Sequence, residues 1–174
     1  QYEQQLMRLA EDKRQLKGIQ SFEARAEAKK LRLPEYADYV DGVLASDSGV
    51  QDEVLMTLMV WRFDVGDLSG GLDIAEYALT HGLVTPDNYK RDTATLVAEE
   101  VADYALAREP EEVDPAITAR ADAATAEADM PDEVRAKLIK AHGLALEAGG
   151  DLEPALGHLK RALESLAEEG VTQV

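Results

Sequence analysis

The chain has 174 residues, of which 18 are Lys or Arg and 35 are Asp or Glu, so its formal net charge at pH 7 is −17. It contains no cysteine, which excludes disulfides, thiolate metal sites and cysteine nucleophiles. No apolar run approaches the roughly 18 residues of a membrane span, and no signal peptide is visible, so a soluble cytoplasmic protein is expected.

The charge is distributed unevenly along the chain. Residues 1–34 carry eight basic and five acidic side chains, a net charge of +3. The other residues carry ten basic and thirty acidic side chains, a net charge of −20. Because binding to a polyanion needs clustered Lys and Arg, we expect DNA to bind the first segment and to be repelled by the rest.

An amphipathic helix is predicted from Tyr2 to about Leu33, because a residue that precedes proline is disfavoured in the helical conformation. Gly18 is a weak point within this helix. Its apolar side chains recur at spacings of three, four or seven, which is typical of a bundle or coiled-coil stripe. They are Leu6, Leu9, Leu16, Ile19, Phe22 and Ala26. The stripe predicts an oligomer interface.

Basic side chains occupy another face of the same predicted helix. The candidate DNA-binding residues are Lys13, Arg14, Lys17, Arg25, Lys29, Lys30 and Arg32. On one continuous helix, most of them project within about a third of the circumference. Such a face contacts phosphates without reading bases. Three interpretations stay open at this point: contact with DNA, a solvated face, or charge pairing with the acidic body of a neighbouring subunit.

The remaining chain is also predicted to be helical, joined by short turns. Helices are expected over about 34–44, 50–65, 71–80, 93–107, 114–128, 131–148 and 153–168, with a surface loop at 81–92. The predicted fold is therefore all-α. A long N-terminal amphipathic helix (residues 1–33) for oligomerisation and DNA contact precedes a body of helical hairpins (residues 34–174).

One turn sequence occurs twice. Gly66-Asp67-Leu68 recurs as Gly150-Asp151-Leu152, and both copies are followed at equal offsets by Leu, Ala and Leu. This predicts hairpins near residues 50–80 and 131–168, the second of which has the small and large residues of a tetratricopeptide (TPR) pattern. A repeat array usually needs three or more units, so we interpret the recurrence as a packing pattern.

The third predicted helix places an arginine between two aromatic residues. Trp61 and Phe63 are expected in the core, whereas Arg62 needs a carboxylate partner. Asp64 and Asp67 are close in sequence, and a carboxylate of another subunit is the alternative. An intersubunit pair would make Arg62 an interface residue.

No catalytic constellation stands out in the sequence. A Gly-rich phosphate loop ending in Gly-Lys-Ser/Thr is missing, so the chain is not predicted to hydrolyse nucleotides by itself. The three histidines lack the spacing of a zinc site, and neither a metal nor a cofactor is predicted. Acidic groups such as Glu99, Glu100 and Asp103 leave a metal-dependent endonuclease open as an alternative.

Several segments along the chain carry a family resemblance. They are Tyr2–Leu6, Leu9–Ala10, Asp41–Leu44, Gln51–Asp67, Leu72–Leu79, Glu99–Ala102 and, above all, Ala128–Leu138. In these segments, in order and without large gaps, the chain resembles the small terminase subunit of P2-like tailed bacteriophages (GpM type).

The resemblance implies a homo-oligomeric ring that recognises a cos-type packaging site on viral double-stranded DNA. It also implies regulation of the ATPase and nuclease of the large terminase subunit, in the host cytoplasm. We predict that the chain itself is not an enzyme, although the family has been described as an endonuclease subunit. Related proteins commonly extend further at the N-terminus and end in a Lys/Arg-rich tail, so part of the DNA affinity is expected in such segments. The residues alone leave a protein-binding helical adaptor without DNA binding as a competing hypothesis.

Overall fold

A computed structural model describes residues 2–86 and 91–172, with side chains described as far as residue 164. Over these ranges the fold is all-α, as predicted, and contains no strand. The chain divides into two compact units, Gln1–Lys90 and Arg91–Val174. The functional division at residue 33 stays a prediction. Part of the predicted loop at 81–92, residues 87–90, lies outside the described residues.

The first unit begins with two helices where the sequence predicted one. Helix α1 spans Tyr2–Lys17 and helix α2 spans Phe22–Arg32. α1 stops before Gly18, and Ser21 caps α2 by accepting a hydrogen bond of 3.3 Å from a backbone N–H of its first turn. The prediction of a continuous helix was wrong, because a glycine that disfavours helix and a serine that caps a new one lie close together.

The rest of the first unit surrounds one apolar helix. A short 3-10 helix at Leu33–Tyr36 leads into α3 (Ala37–Ser46), α4 (Glu53–Asp64) and α5 (Leu68–His81). Every side chain from Val54 to Trp61 is buried, because α4 packs against α1, α2 and α5. A helix with neighbours on several sides needs this continuous apolar run. α4 starts later than predicted because Asp52 caps it, accepting a hydrogen bond of 2.8 Å from the Leu55 N–H.

The second unit is a smaller set of packed helices. It contains α6 (Thr93–Leu106), a 3-10 helix at Pro110–Glu112, α7 (Pro115–Thr125), α8 (Asp132–Ala148) and α9 (Leu152–Thr172). α6 packs against α7 and α8, and α8 packs against α9 along the hairpin that they form. Asp114 caps α7 with Pro115 in its first turn, as predicted. The TPR-like character of the α8–α9 hairpin stays a prediction.

Candidate nucleic-acid interface

The break at Gly18 distributes the predicted DNA-binding residues over two helices. Lys13, Arg14 and Lys17 lie on α1, and Arg25, Lys29, Lys30 and Arg32 lie on α2. The basic face predicted for one continuous helix therefore does not form. Instead, four of these side chains converge from two helices.

α1, α2 and α4 enclose a groove with a volume of about 490 Å³. It is lined by Lys13, Leu16, Lys17, Arg25, Lys29, Thr57 and Trp61. Four of these seven side chains are cations, and the two from α4 form its floor. We call this feature the basic groove. It brings together the larger part of the predicted DNA-binding residues.

Two cations of the basic groove pair with carboxylates at opposite ends of α4. The Lys13 Nζ lies 3.1 Å from Oε1 of Glu53, in the first turn of the helix. Lys29 forms an ion pair with Asp64, the last residue of the helix, and its Nζ lies 6.0 Å from the centroid of the Trp61 ring. A cation is favourable at a helix C-terminus, so Lys29 offsets an aspartate that the helix dipole disfavours there.

The other two cations of the basic groove are not neutralised by any carboxylate in the described part of the chain. Arg25 donates from Nε and one Nη to the carbonyl oxygen of Ile19, at 3.2 and 2.6 Å. Lys17 is exposed at the end of α1 and forms no ion pair with a described residue. Four cations and two paired carboxylates leave the basic groove with a net charge of +2.

The remaining three predicted DNA-binding residues lie outside the basic groove. Arg14 pairs with Glu11 one turn earlier on α1. The Arg32 Nε lies 3.1 Å from Oδ1 of Asp12, and both side chains are largely buried, so this pair joins α2 to α1. Lys30 is exposed and lines a different depression. These three residues are therefore separated from the convergent cations.

The floor of the basic groove contains a hydroxyl that sequence reasoning missed. Thr57 is 1% exposed, and its Oγ1 has no hydrogen-bond partner among the described residues. Trp61 lies one turn further along α4, and the ring of Tyr36 meets it edge-on, with centroids 6.4 Å apart. A single hydroxyl residue inside an apolar run was the only available signal for Thr57.

Tyr36 contributes no negative charge near these cations. Burial, first, and the hydrogen bond of 2.6 Å from its hydroxyl to Asp12, second, raise the pKa of Tyr36 well above its usual range. Its ring is therefore a neutral surface at physiological pH. The Arg8 guanidinium lies 5.6 Å from the ring centroid, on the same aromatic residue.

Part of the predicted oligomer stripe is buried in the core of the first unit. Leu9 and Leu16 are 1% and 5% exposed, and Leu6 and Ile19 are half-buried. Phe22, in contrast, is 71% exposed. Sequence reasoning missed a second exposed apolar side chain on α2, Leu31, which is 76% exposed.

The predicted need of Arg62 for a carboxylate is met within the chain. Its Nη1 lies 2.5 Å from Oδ2 of Asp67, across the turn between α4 and α5. The other nearby carboxylate, Asp64, pairs with Lys29 instead. This intrachain pair does not test the intersubunit contact of Arg62, which stays a prediction.

Two of the three acidic residues considered for a nuclease, Glu99 and Asp103, are held in ion pairs. Glu99 pairs with Arg91, and Asp103 pairs with Lys137. Within residues 2–86 and 91–164, no group of three or more His, Asp or Glu is placed to hold a metal ion. No helix of the described part of the chain combines the length and the apolarity needed to span a membrane.

Comparison with known proteins gives one family and a close relative. Residues 6–133, more than half of the chain, match the model of the phage small terminase subunit family. A protein of Escherichia phage P2 named "Terminase, endonuclease subunit" is 46% identical over 172 residues, which cover 98% of this chain and 70% of that protein. No solved structure gives a significant match. The resemblance predicted from the sequence is confirmed, and the chain belongs to the phage small terminase subunit family.

Proposed function

We propose that this chain acts in viral DNA packaging as a ring-shaped homo-oligomer that recognises a cos-type site on double-stranded DNA. In this role it regulates the ATPase and nuclease of the large terminase subunit, in the host cytoplasm. Membership of the small terminase subunit family supports the packaging role. The observation that carries the DNA-binding part is the basic groove, a cluster of four cations in a chain whose net charge is −17.

The charge of the basic groove suits the DNA backbone. Lys and Arg that neutralise phosphates release condensed counterions, so binding weakens steeply as salt rises. A net charge of +2 at one groove is modest, but copies of the groove on one assembly contact the same duplex together. Arg14, Lys30 and Arg32 are the further phosphate contacts in this proposal. Arg32 would first have to leave Asp12.

Self-association is assigned to apolar residues of α1, of α2 and of the turn between them. Phe22 is exposed at the start of α2, and the half-buried Leu6 and Ile19 extend the same proposed contact. Leu9 and Leu16 support it from the core by holding α1 in place. Arg62 is also proposed as an interface residue, because about one fifth of its side chain is exposed and can contact a neighbouring subunit.

A salt-dependent gel-shift experiment tests the proposal. The purified chain is titrated with a cos-containing duplex and with a scrambled duplex of equal length, between about 50 and 200 mM salt, the range over which phosphate contacts lose most affinity. The expected result is tighter binding to the cos duplex and affinity that falls steeply with salt. Absence of binding to both duplexes would favour the protein-binding adaptor.

Two further measurements separate the competing functions. Sedimentation should give a mass well above that of a dimer, and a lone protomer at micromolar concentration would contradict the ring. The name of the phage P2 relative makes nuclease activity worth testing directly. Magnesium-dependent cutting by the purified chain, abolished by Glu99→Gln or Asp103→Asn, would overturn the non-enzymatic assignment.

A further inference from the structure

Thr57 lies in an environment that does not use its hydroxyl. The residue is 1% exposed in the middle of α4, and its Oγ1 has no partner among the described residues. Buried side-chain hydroxyls are normally hydrogen-bonded, often to a helix carbonyl one turn earlier. The unpartnered hydroxyl at the floor of a charged groove is therefore available as a hydrogen-bond donor to a ligand.

The side chains that line the groove with Thr57 are mostly cationic. Lys17 and Arg25 bring charge that no described carboxylate neutralises, while Lys13 and Lys29 bring charge that Glu53 and Asp64 offset. An anion that enters the basic groove competes with these two carboxylates for their lysines. Because Thr57 is 1% exposed, its hydroxyl meets an anion only after a side chain that covers it has moved.

We propose that the basic groove seats one phosphate of the DNA backbone, with Thr57 as a hydrogen-bond donor at its floor. Lys17 and Arg25 neutralise the phosphate, and the Thr57 hydroxyl donates to one of its non-bridging oxygens. Glu53 and Asp64 hold Lys13 and Lys29 while DNA is absent and release them when the phosphate binds. This inference rests on the proposed function, since duplex DNA is the ligand.

The same side chains would also bind free inorganic phosphate, but the position of the basic groove favours the phosphates of a polymer over a free ion. Lys17, one of its lining residues, is exposed. Arg14 and Lys30 are exposed on the same two helices and offer contacts to neighbouring phosphates of a chain. An extended ligand therefore gains contacts that an isolated ion does not.

The decisive variants change the hydroxyl or the competing carboxylate. Thr57→Val has nearly the same shape and removes only the donor, so the fold should be as stable as the parent or more stable. Loss of a hydrogen bond to a charged group should weaken duplex binding about tenfold. Thr57→Ser keeps the hydroxyl and should restore most of the affinity. Asp64→Asn frees Lys29 and should strengthen binding roughly fivefold, because one more cation is available for phosphate.

Binding is measured by anisotropy of a labelled duplex without terminal phosphates, and by the emission of Trp61, the only tryptophan of the chain. Thermal unfolding shows that each variant is folded. Lys17→Ala should weaken binding and reduce the salt slope by about one. The matched controls are Lys140→Ala and Asp41→Asn, which change exposed charges outside the groove and should alter affinity less than about twofold.

The outcomes separate this inference from the proposed function. If the parent binds duplex and Thr57→Val and Asp64→Asn bind it equally well, the Thr57 seat is wrong while DNA binding stands. If no form of the chain binds duplex, both proposals fail. If sodium phosphate changes the Trp61 emission and displaces the duplex at micromolar concentration, the site belongs to the free ion, and the assignment to the backbone is overturned.

Discussion

The α4–α5 and α8–α9 hairpins turn in the same way but are buried very differently. In both, a glycine with positive φ ends the first helix, at 80° for Gly66 and 90° for Gly150. In both, the next residue, Asp67 or Asp151, donates its N–H to the carbonyl five residues earlier, at 2.9 Å. Glycine adopts this left-handed conformation without a steric cost, and the bond satisfies a terminal carbonyl of the helix. The repeated Gly-Asp-Leu sequence thus encodes one turn geometry.

The difference lies in what covers the second helix of each hairpin. Leu72 on α5 and Leu156 on α9 occupy equivalent positions after the turn, yet Leu72 is fully buried and Leu156 is 53% exposed. Leu152 and Leu163 on α9 are also exposed, at 66% and 68%. A turn motif therefore specifies a hairpin, whereas burial of the hairpin depends on helices elsewhere in the chain.

The largest expected effect is the difference in stability loss between alanine substitutions at Leu72 and Leu156. Leu72→Ala should lower the free energy of unfolding by about 2 to 5 kcal/mol, because it leaves a cavity in an enclosed core. Leu156→Ala should lower it by less than about 0.5 kcal/mol, as for most exposed positions. Urea unfolding followed by circular dichroism measures both. A comparable loss for Leu156→Ala would show that another molecule covers the exposed face of α9 in solution.

The next largest effect is the change in stability when alanine replaces a glycine at which the two helices of a hairpin approach closely. A methyl group added at Gly71 would lie 2.6 Å from Cε1 of Phe63, and one added at Gly143 would lie 2.8 Å from Cγ of Leu159. Alanine favours helix over glycine by about 1 kcal/mol, whereas overpacking costs about 1 to 3 kcal/mol.

We expect Gly71→Ala to destabilise the first unit by about 1 to 2 kcal/mol, because Phe63 is itself enclosed. Gly143→Ala should be close to neutral, within about 0.5 kcal/mol, because α9 has an exposed outer face and can shift. The melting temperatures of the two variants give the comparison. Equal losses would mean that α9 is held as firmly as α5.

What the sequence predicted well was local. The helical fold and the start of α7 at Asp114-Pro115 follow from propensity and from caps that act within one turn. The basic groove instead brings together side chains from three helices, and its Lys29 pairs with Asp64, 35 residues later in the chain. No periodicity encodes such a contact, and the break between α1 and α2 was missed because the apolar spacing continues past Gly18, although this glycine was noted as a weak point.

A smaller effect concerns Asp67, which has two roles at its turn. Its Oδ1 accepts a hydrogen bond of 3.0 Å from the Gly70 N–H, and its Oδ2 pairs with Arg62. Asp67→Ala removes both interactions and should cost about 1 to 2 kcal/mol. Asp67→Asn keeps an acceptor for the N–H, and the ion pair is partly solvent-exposed, so its loss should cost less than about 1 kcal/mol. Equal costs for the two variants in urea unfolding would show that the charge, rather than the cap, stabilises the turn.

The smallest expected effect is a pH dependence confined to the second unit. His142 is 6% exposed, and its Nδ1 lies 2.8 Å from Oγ1 of Thr118. Burial first, and then the positive charges of His158 and Arg161, lower the pKa of His142 below its ordinary value of 6.5, while Asp122 opposes them.

The direction of the pH effect follows from that lowered pKa. Below about pH 6.5 the unfolded chain binds a proton that the folded chain binds only at lower pH. The contribution of neutral His142 to the free energy of unfolding is therefore fully present above this pH and is lost as the pH falls. His142→Gln should flatten the dependence in thermal unfolding followed by circular dichroism. Trp61 emission, which reports on the first unit, serves as the internal control. If acid lowers the transition followed by circular dichroism equally in the parent and in His142→Gln, the proton is bound elsewhere, and the second unit owes none of its pH response to this histidine.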